Sequence, residues 1–343
     1  MDDRDRLLLD TLQNDLPLVE RPFVDLGATL GMVEGEVLGR IESLRGEGVV
    51  RQISAIFDTR RLGYTSCLVA ARSRPGTSDE TANVFSSHPG VTHNYRRDHA
   101  FDIWFTIAVP PTTRLGLEPT VELLGELAEV ESIRLLPALK FFKIGVDLDM
   151  RGGRDPGAKK ARRAPSAVTE TAPLSRREIE LVRALQTDLP AVPEPFQTVA
   201  EQSGFSVAEL LEAARDFGAN GRMRRFAAVL NHRTAGFRQN GMGVWIVDEQ
   251  HCAEMGRVMA GYRGVSHCYE RPIYEDWPYR LFSMTHGRDK QECEDVLAAI
   301  SAETGLTEYA VLYSTREYKK IRLKYFTPEM EAWEDAHAAL MTR

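Results

Sequence analysis

The sequence predicts an α+β fold made twice: a tandem duplication in which each copy is a winged helix-turn-helix followed by a ferredoxin-like βαββαβ sandwich. Three observations predict it. The chain repeats itself at a nearly constant offset, each repeat opens with a helix-turn-helix pattern, and each closes with segments in the order βαββαβ. At 343 residues the chain also exceeds what one core usually serves.

The repeat is read directly. Leu12-Gln13-Asn14-Asp15-Leu16-Pro17 returns 173 residues later as Leu185-Gln186-Thr187-Asp188-Leu189-Pro190, and Arg51 to Tyr64 returns as Arg224 to Phe237 at the same offset. Gly90-Val91-Thr92-His93-Asn94-Tyr95 returns as Gly264-Val265-Ser266-His267-Cys268-Tyr269, offset by 174. Phe141-Phe142-Lys143-Ile144 resembles Tyr318-Lys319-Lys320-Ile321, offset by 177. The order is kept and the drift runs one way, as a duplication requires.

Each element then has its own signal. Residues 3–13 place Leu7, Leu8 and Leu12 inward on an amphipathic helix. Residues 23–30, a turn at Gly31, and residues 33–44 make the helix-turn-helix, and a short hairpin is expected over 49–57. Next come a strand at 67–72, a helix at 79–88, strands at 91–97 and 102–109, a helix at 117–128 and a strand at 132–145. In the second copy the helix-turn-helix spans about 196–217, and the sandwich runs from near Val244 to near Tyr325. The domains are therefore 1–62 and 174–235 (helix-turn-helix) and 63–150 and 236–343 (ferredoxin-like). Residues 151–173, rich in Gly, Pro, Ala, Lys and Arg with almost no large apolar side chain, read as a flexible linker.

Composition excludes several classes. No apolar run approaches the roughly 18–20 residues needed to span a bilayer, and no apolar signal region follows Met1-Asp2-Asp3-Arg4-Asp5, so a cytoplasmic protein without membrane contact is expected. Cys67, Cys252, Cys268 and Cys293 form no C-x-x-C pair; they read as reduced, mostly buried thiols rather than zinc or cluster ligands. The net charge is −7, and the helix-turn-helices share it. Residues 23–48 set five acids against Arg40 and Arg45, and residues 196–219 set four against Arg215. Neither helix offers phosphate-neutralising charge or a row suited to base edges, so DNA binding is not expected and the helix-turn-helix reads as packing scaffold.

The chemistry sits in two strands. His93, Tyr95 and Arg97 alternate with other residues, so period two puts all three on one face, and His267, Tyr269 and Arg271 repeat the pattern. An imidazole, a phenol and a guanidinium on one face suit carboxylates. Arg51 and Arg224 in the hinge strands, Arg225 beside the latter, and Lys140, Lys143, Lys319 and Lys320 are further cations. His232 occurs only in the second copy, where the first has Thr59. His88, His99, His251, His286 and His337 lack spacing that favours a metal and read as structural or solvated.

The layout, and the hinge LRGEGVVRQISAIFDTRRLG in particular, resembles the Lrp/AsnC regulators. Longer strings are similar to something narrower. GVTHNYRRDHAFDIWFT with RQISAIFDTRRLGYTSCLVAA, and GVSHCYERPIYEDWPYRLFSMTHG with MRRFAAVLNHRTAGFRQNGMGVW, resemble the two halves of siroheme decarboxylases, across about residues 5–147 and 174–326. That resemblance implies a fused, two-half carboxy-lyase linked to haem d1 synthesis in denitrification. It would remove CO2 from the C12 and C18 acetates of siroheme, giving 12,18-didecarboxysiroheme. No cofactor is implied, because the iron belongs to the tetrapyrrole substrate. The site residues implied are His93, His267 and His232 for catalysis, with His93 or His267 as an alternative axial ligand to the substrate's iron. Arg51, Arg97, Arg224, Arg225 and Arg271 would anchor carboxylates, and Tyr95 and Tyr269 would orient them. The second copy has Pro272-Ile273 where the first has Asp98-His99, so unequal pockets are expected. The partner is an iron tetrapyrrole rather than DNA, with room for a homodimer through the ferredoxin-like domains. The alternative function is an Lrp/AsnC-type regulator that responds to haem or another tetrapyrrole.

Overall fold

The computed structural model describes residues 1–144, 172–230, 239–287 and 289–340. His232 and residues 151–171 of the linker lie outside them. The first copy runs α1 (Asp3–Asn14), α2 (Pro22–Leu30), α3 (Glu34–Gly46), β1 (Val50–Phe57), β2 (Thr65–Arg72), α4 (Ser78–Ser87), β3 (Val91–Arg97), β4 (Ile103–Val109), α5 (Leu117–Leu127), β5 (Ser132–Leu136) and β6 (Lys140–Ile144). The second runs α6 (Arg176–Leu185), α7 (Pro195–Ser203), α8 (Val207–Ala219), β7 (Met223–Leu230), β8 (Gln239–Trp245), α9 (Glu249–Gly261), β9 (Val265–Glu270), β10 (Leu281–Gly287), α10 (Lys290–Thr304), β11 (Tyr309–Lys320) and α11 (Pro328–Ala336). Two compact units result, and they group like parts of the two copies. One unit holds Met1–Tyr64, Val168–Thr234 and Lys324–Pro328; the other holds Thr65–Ala167, Ala235–Leu323 and Glu329–Arg343.

The helix-turn-helix unit follows local sequence closely. Helix α1 starts at a capping box between Asp2 and Asp5 and buries Leu8, Leu9 and Leu12. Leu7, expected inward, is exposed, because the buried stripe falls at positions one and four apart. Pro22 and Pro195 occupy the first turns of α2 and α7. Both helices stop at a left-handed glycine, Gly31 (φ 65°) and Gly204 (φ 76°).

The expected hairpin over 49–57 is instead a single strand. β1 pairs antiparallel with β7, so each copy supplies half of a two-stranded ribbon. The repeated Leu-Gln-x-Asp-Leu-Pro segments hold that ribbon reciprocally. Leu16 N donates to Phe226 O and Leu189 N to Ile53 O, both at 2.7 Å. Asp188 Oδ1 accepts from Ile53 N at 2.8 Å, and Asp15 Oδ1 from Phe226 N at 3.2 Å. The backbone groups that a local hairpin would have satisfied are satisfied by the other copy.

In the second unit each copy's four main strands take ferredoxin-like order, and the two copies share one run: β5-β2-β4-β3-β11-β8-β10-β9-β6. Each last strand serves twice. β11 pairs first with β8 of its own copy and then, from Ser314, with β3 of the other. β5 pairs with β2, and after Pro137, which has no N–H to donate, the chain resumes as β6 and pairs with β9. The strand expected at 132–145 is thus broken at the proline. One face of the run packs on helices, burying Val91, Phe105 and Ile107 in the first copy and Val265, Leu281 and Leu297 in the second. The other face forms a shared core of Trp104, Leu136, Met242, Trp277, Phe282 and Leu312 from both copies. Each such side chain contributes about 1.5–3 kcal/mol on burial, so this core is a strong reason for the copies to stay paired.

Candidate active site

The two motifs lie on β3 and β9, the strands that receive the other copy's last strand. Tyr95 sits across from Trp104 and Tyr269 across from Phe282, so both motifs point to the shared-core face. Period two holds as expected. The His93 and Tyr95 rings are 6.3 Å apart and the His267 and Tyr269 rings 5.9 Å apart.

The imidazoles have different polar partners. His93 Nδ1 is 3.0 Å from Thr92 Oγ1, which is 2.9 Å from Thr106 Oγ1. His267 Nδ1 is 2.8 Å from Ser266 Oγ, which is 2.7 Å from His286 Nε2. His286, read from sequence as structural or solvated, therefore belongs to the second motif's polar chain. Burial lowers both motif histidines below the ordinary range, with Lys320 adding to the effect at His93 and Lys143 at His267. Both are neutral at pH 7, and with Nδ1 engaged each keeps Nε2 for a ligand. Burial, then Glu317, pushes Tyr95 up to about 12, so it acts as a neutral hydroxyl.

Arg97 and Arg271 are 7% and 8% exposed. Arg97 donates to Leu312 O at 2.8 Å, and Arg271 donates to Leu136 O. Each arginine thus reaches the equivalent carbonyl of the other copy. Their Nε atoms are buried without a partner, and among the described residues no carboxylate forms an ion pair with either. Burial lowers each to about 10, which still leaves both charged at neutral pH.

The lysines of the last strands divide. Lys143 Nζ donates to Tyr262 O at 2.6 Å, and Lys319 Nζ to Ser86 O at 2.7 Å, so each caps the C-terminal end of the helix before a motif strand. Lys143 and Lys319 are therefore equivalents, which sets the last-strand offset at 176 rather than 177. Across from His93 the last strand has Lys320, and across from Tyr95 it has Glu317. Across from His267 it has Ile144, and across from Tyr269 it has Phe141. His99 packs on Trp277 of the longer second-copy loop, ring centroids 5.3 Å apart.

Arg51, Arg224 and Arg225 lie on the β1–β7 ribbon of the helix-turn-helix unit, all exposed, and Arg224 pairs with Asp58 at 2.8 Å. His232 lies outside the described residues. A cavity of about 510 Å³ in that unit is lined by Glu178, Asp216 and Asn220 with no cation, a poor match for a polyanion. All four cysteines are buried thiols outside any disulfide.

Two family profiles match. The one described as the siroheme decarboxylase NirDL-like HTH domain covers residues 5–51 and 178–224, and the one described as the AsnC-like ligand binding domain covers 61–143 and 234–319. The chain is 42% identical over 326 residues to a siroheme decarboxylase of Hydrogenobacter thermophilus, covering 95% of this chain and 96% of that one. It is 34% identical to the siroheme decarboxylase NirDL subunit of Paracoccus denitrificans over 93% and 96%. Crystal structures of the siroheme decarboxylase NirDL, alone and in complex with an iron-uroporphyrin III analogue, superpose with a TM-score of 0.79 at 36% and 35% identity. They cover 99% of this chain and 100% of their own. With duplication, sandwich topology and both motif strands matched across nearly its whole length, the chain belongs to the siroheme decarboxylase family.

Proposed function

We propose that the chain is a fused siroheme decarboxylase that removes CO2 from the C12 and C18 acetates of siroheme, giving 12,18-didecarboxysiroheme on the route to haem d1. One observation carries the site assignment. Among the described residues, each motif holds a buried arginine with no carboxylate ion pair, beside a neutral histidine and a half-buried tyrosine. An unpaired buried cation is costly, and a carboxylate delivered by a polyanionic ligand would relieve that cost.

The chemistry follows from these groups. An acetate arm, R–CH2–COO⁻, loses CO2 and leaves its electron pair on the methylene carbon, where the macrocycle delocalises it. A proton from His93 or His267 then completes the methyl group. Thr92 and Ser266 hydroxyls can accept from or donate to Nδ1, so Nε2 can be an N–H donor or a lone pair. In the second state one of the two histidines would ligate the substrate's iron instead. Arg97 and Arg271 are the proposed anchors for carboxylates, Tyr95 and Tyr269 the orienting groups, and Arg51, Arg224, Arg225 and His232 further contributors. The enzyme is proposed to need no cofactor beyond the iron its substrate carries.

The helix-turn-helix is proposed as scaffold rather than DNA reader. Arg40 is held by Asp2, Asp5 and Glu36, Arg45 by Asp188 and Glu42, and Arg215 by Leu18 O, so the few cations there are already engaged. Among the described residues no helix is long and apolar enough to cross a membrane, and a cytoplasmic location is proposed. A homodimer through the ferredoxin-like domains would have to avoid the β3 and β9 edges, which are paired within the chain. Anaerobic incubation with siroheme, followed by product mass, tests the function. Loss of two CO2 units is expected. Tight binding with unchanged mass would indicate a sensor, and sequence-specific DNA retention at physiological salt a regulator.

A further inference from the structure

We propose that His286 reloads His267 with a proton through the Ser266 hydroxyl, and that this relay belongs to the second copy alone. The inference rests on the decarboxylase reading above. Two distances place the three groups in one chain: His286 Nε2 to Ser266 Oγ at 2.7 Å and Ser266 Oγ to His267 Nδ1 at 2.8 Å. A serine hydroxyl has one hydrogen and can accept another, so it links two imidazoles in either direction. The link is held at both ends. His267 sits across from Met284 in the β9–β10 pairing, and His286 N donates to Gly264 O at 3.0 Å. On its other side His286 pairs with Asn240 of β8, and the Lys143 ammonium acts on His267. All three side chains are buried or half-buried, so bulk water is a poor competitor for these bonds.

The first copy lacks the outer imidazole. Thr106 and Met284 are equivalent in facing the motif histidines, which puts Ala108 where the second copy has His286. Among the described residues the His93 ring reaches the hydroxyls of Thr92 and Thr106, and two hydroxyls cannot store a proton at neutral pH.

Each decarboxylation consumes one proton, so the donor must be recharged. His267 gives its Nε2 proton to the carbanion left by CO2. Its Nδ1 takes the Ser266 proton, Ser266 Oγ takes the His286 Nε2 proton, and His286 Nδ1 takes one from solvent. One solvent proton has then become one methyl hydrogen, with no net charge left on the chain; His267 now carries its proton on Nδ1, and the starting tautomers return by the reverse shift through Ser266 once product has left and water can protonate Nε2. His286 acts through Ser266 and is a positioning and relay residue rather than one that touches substrate.

The test uses the full chain with siroheme, measuring binding by absorbance and decarboxylation by product mass in a single turnover. His286→Gln keeps an N–H for Ser266 but cannot pass a proton on. It is expected to bind siroheme within about twofold of wild type and to decarboxylate about 10²-fold more slowly, within the range acid–base groups contribute. Ser266→Ala should behave alike, and imidazole in the buffer should restore rate to His286→Ala. Wild-type rates in His286→Gln and Ser266→Ala would overturn the relay. So would slow variants whose siroheme binding falls in parallel and which imidazole does not rescue. A wild-type protein that binds siroheme without releasing CO2 would instead remove the decarboxylase reading itself, and the relay with it.

Discussion

The two His-x-Tyr-x-Arg strands occupy equivalent places in the sheet and keep different company. Their arginines and neighbouring lysines are matched one for one: Arg97 with Arg271 on the carbonyls of Leu312 and Leu136, Lys319 with Lys143 on helix ends. Their lateral neighbours are not matched. Lys320 and Glu317 flank the first motif, whereas Ile144 and Phe141 flank the second. A threonine pair serves His93 and a serine–histidine pair serves His267. Groups that join the copies bond to backbone, which is alike in both halves, so they stay alike. Only the second motif has a second imidazole in its polar chain, and it is the proposed site of protonation.

The sharpest way to break that comparison is to remove each motif histidine in turn. His267→Ala is expected to slow decarboxylation by about 10²–10⁴-fold, with a smaller loss in His93→Ala, while both still bind siroheme. Single-turnover product masses separate the cases. Equal losses would end the bias toward the second copy, and full rates in both variants would end the assignment of the motifs. The arginines should behave symmetrically. Arg97→Met and Arg271→Met are each expected to weaken siroheme binding about 10–100-fold, as losing a hydrogen-bonded charge pair does. The ligand-free unfolding midpoint should change little, because an unpaired buried charge leaves with the side chain. Reduced stability at unchanged affinity would make these arginines stitches and nothing more.

A smaller difference lies behind the motifs. His88 ends α4 where Tyr262 ends α9, and burial, with Lys319 and His337 nearby, lowers His88 from 6.5 to about 3. The unfolded chain therefore takes up this proton below pH 6.5 and the folded chain does not. Stability from this group is intact above pH 6.5 and is lost as pH falls toward 3, by about 2 kcal/mol at pH 5. Denaturant unfolding at pH 7 and pH 5 should show this loss in the wild type and less of it in His88→Asn. An identical pH response in the two proteins would mean the acid sensitivity comes from elsewhere.

Much of the fold is legible because its signals are local. Pro22 and Gly31 bound α2 through their own backbone preferences, and the alternation in 91–97 marks a strand wherever that strand pairs. The strand-forming residues of 50–57 cannot name a partner, which is why a local hairpin is the expectation and a ribbon with β7 is the outcome. The Leu-Gln-x-Asp-Leu-Pro repeat was visible as a repeat but not as the clasp of that ribbon. His286 was missed for a related reason. Its link to Ser266 arises from the β9–β10 register and leaves no spacing motif along the chain; the available clue was Phe282, Met284 and His286 sharing one strand face opposite the motif.

The sequence by itself determined the duplication, the kind and order of elements, the paired motifs and the family, because repeats, caps and period-two patterns are properties of neighbouring residues. Only the tertiary structure decided that each copy completes the other's sheet, that both motif arginines are buried with no carboxylate partner among the described residues, and that His286 reaches His267 through Ser266. Those outcomes depend on strand register between segments far apart in sequence, and a shift of one residue would turn every one of these side chains to the opposite face.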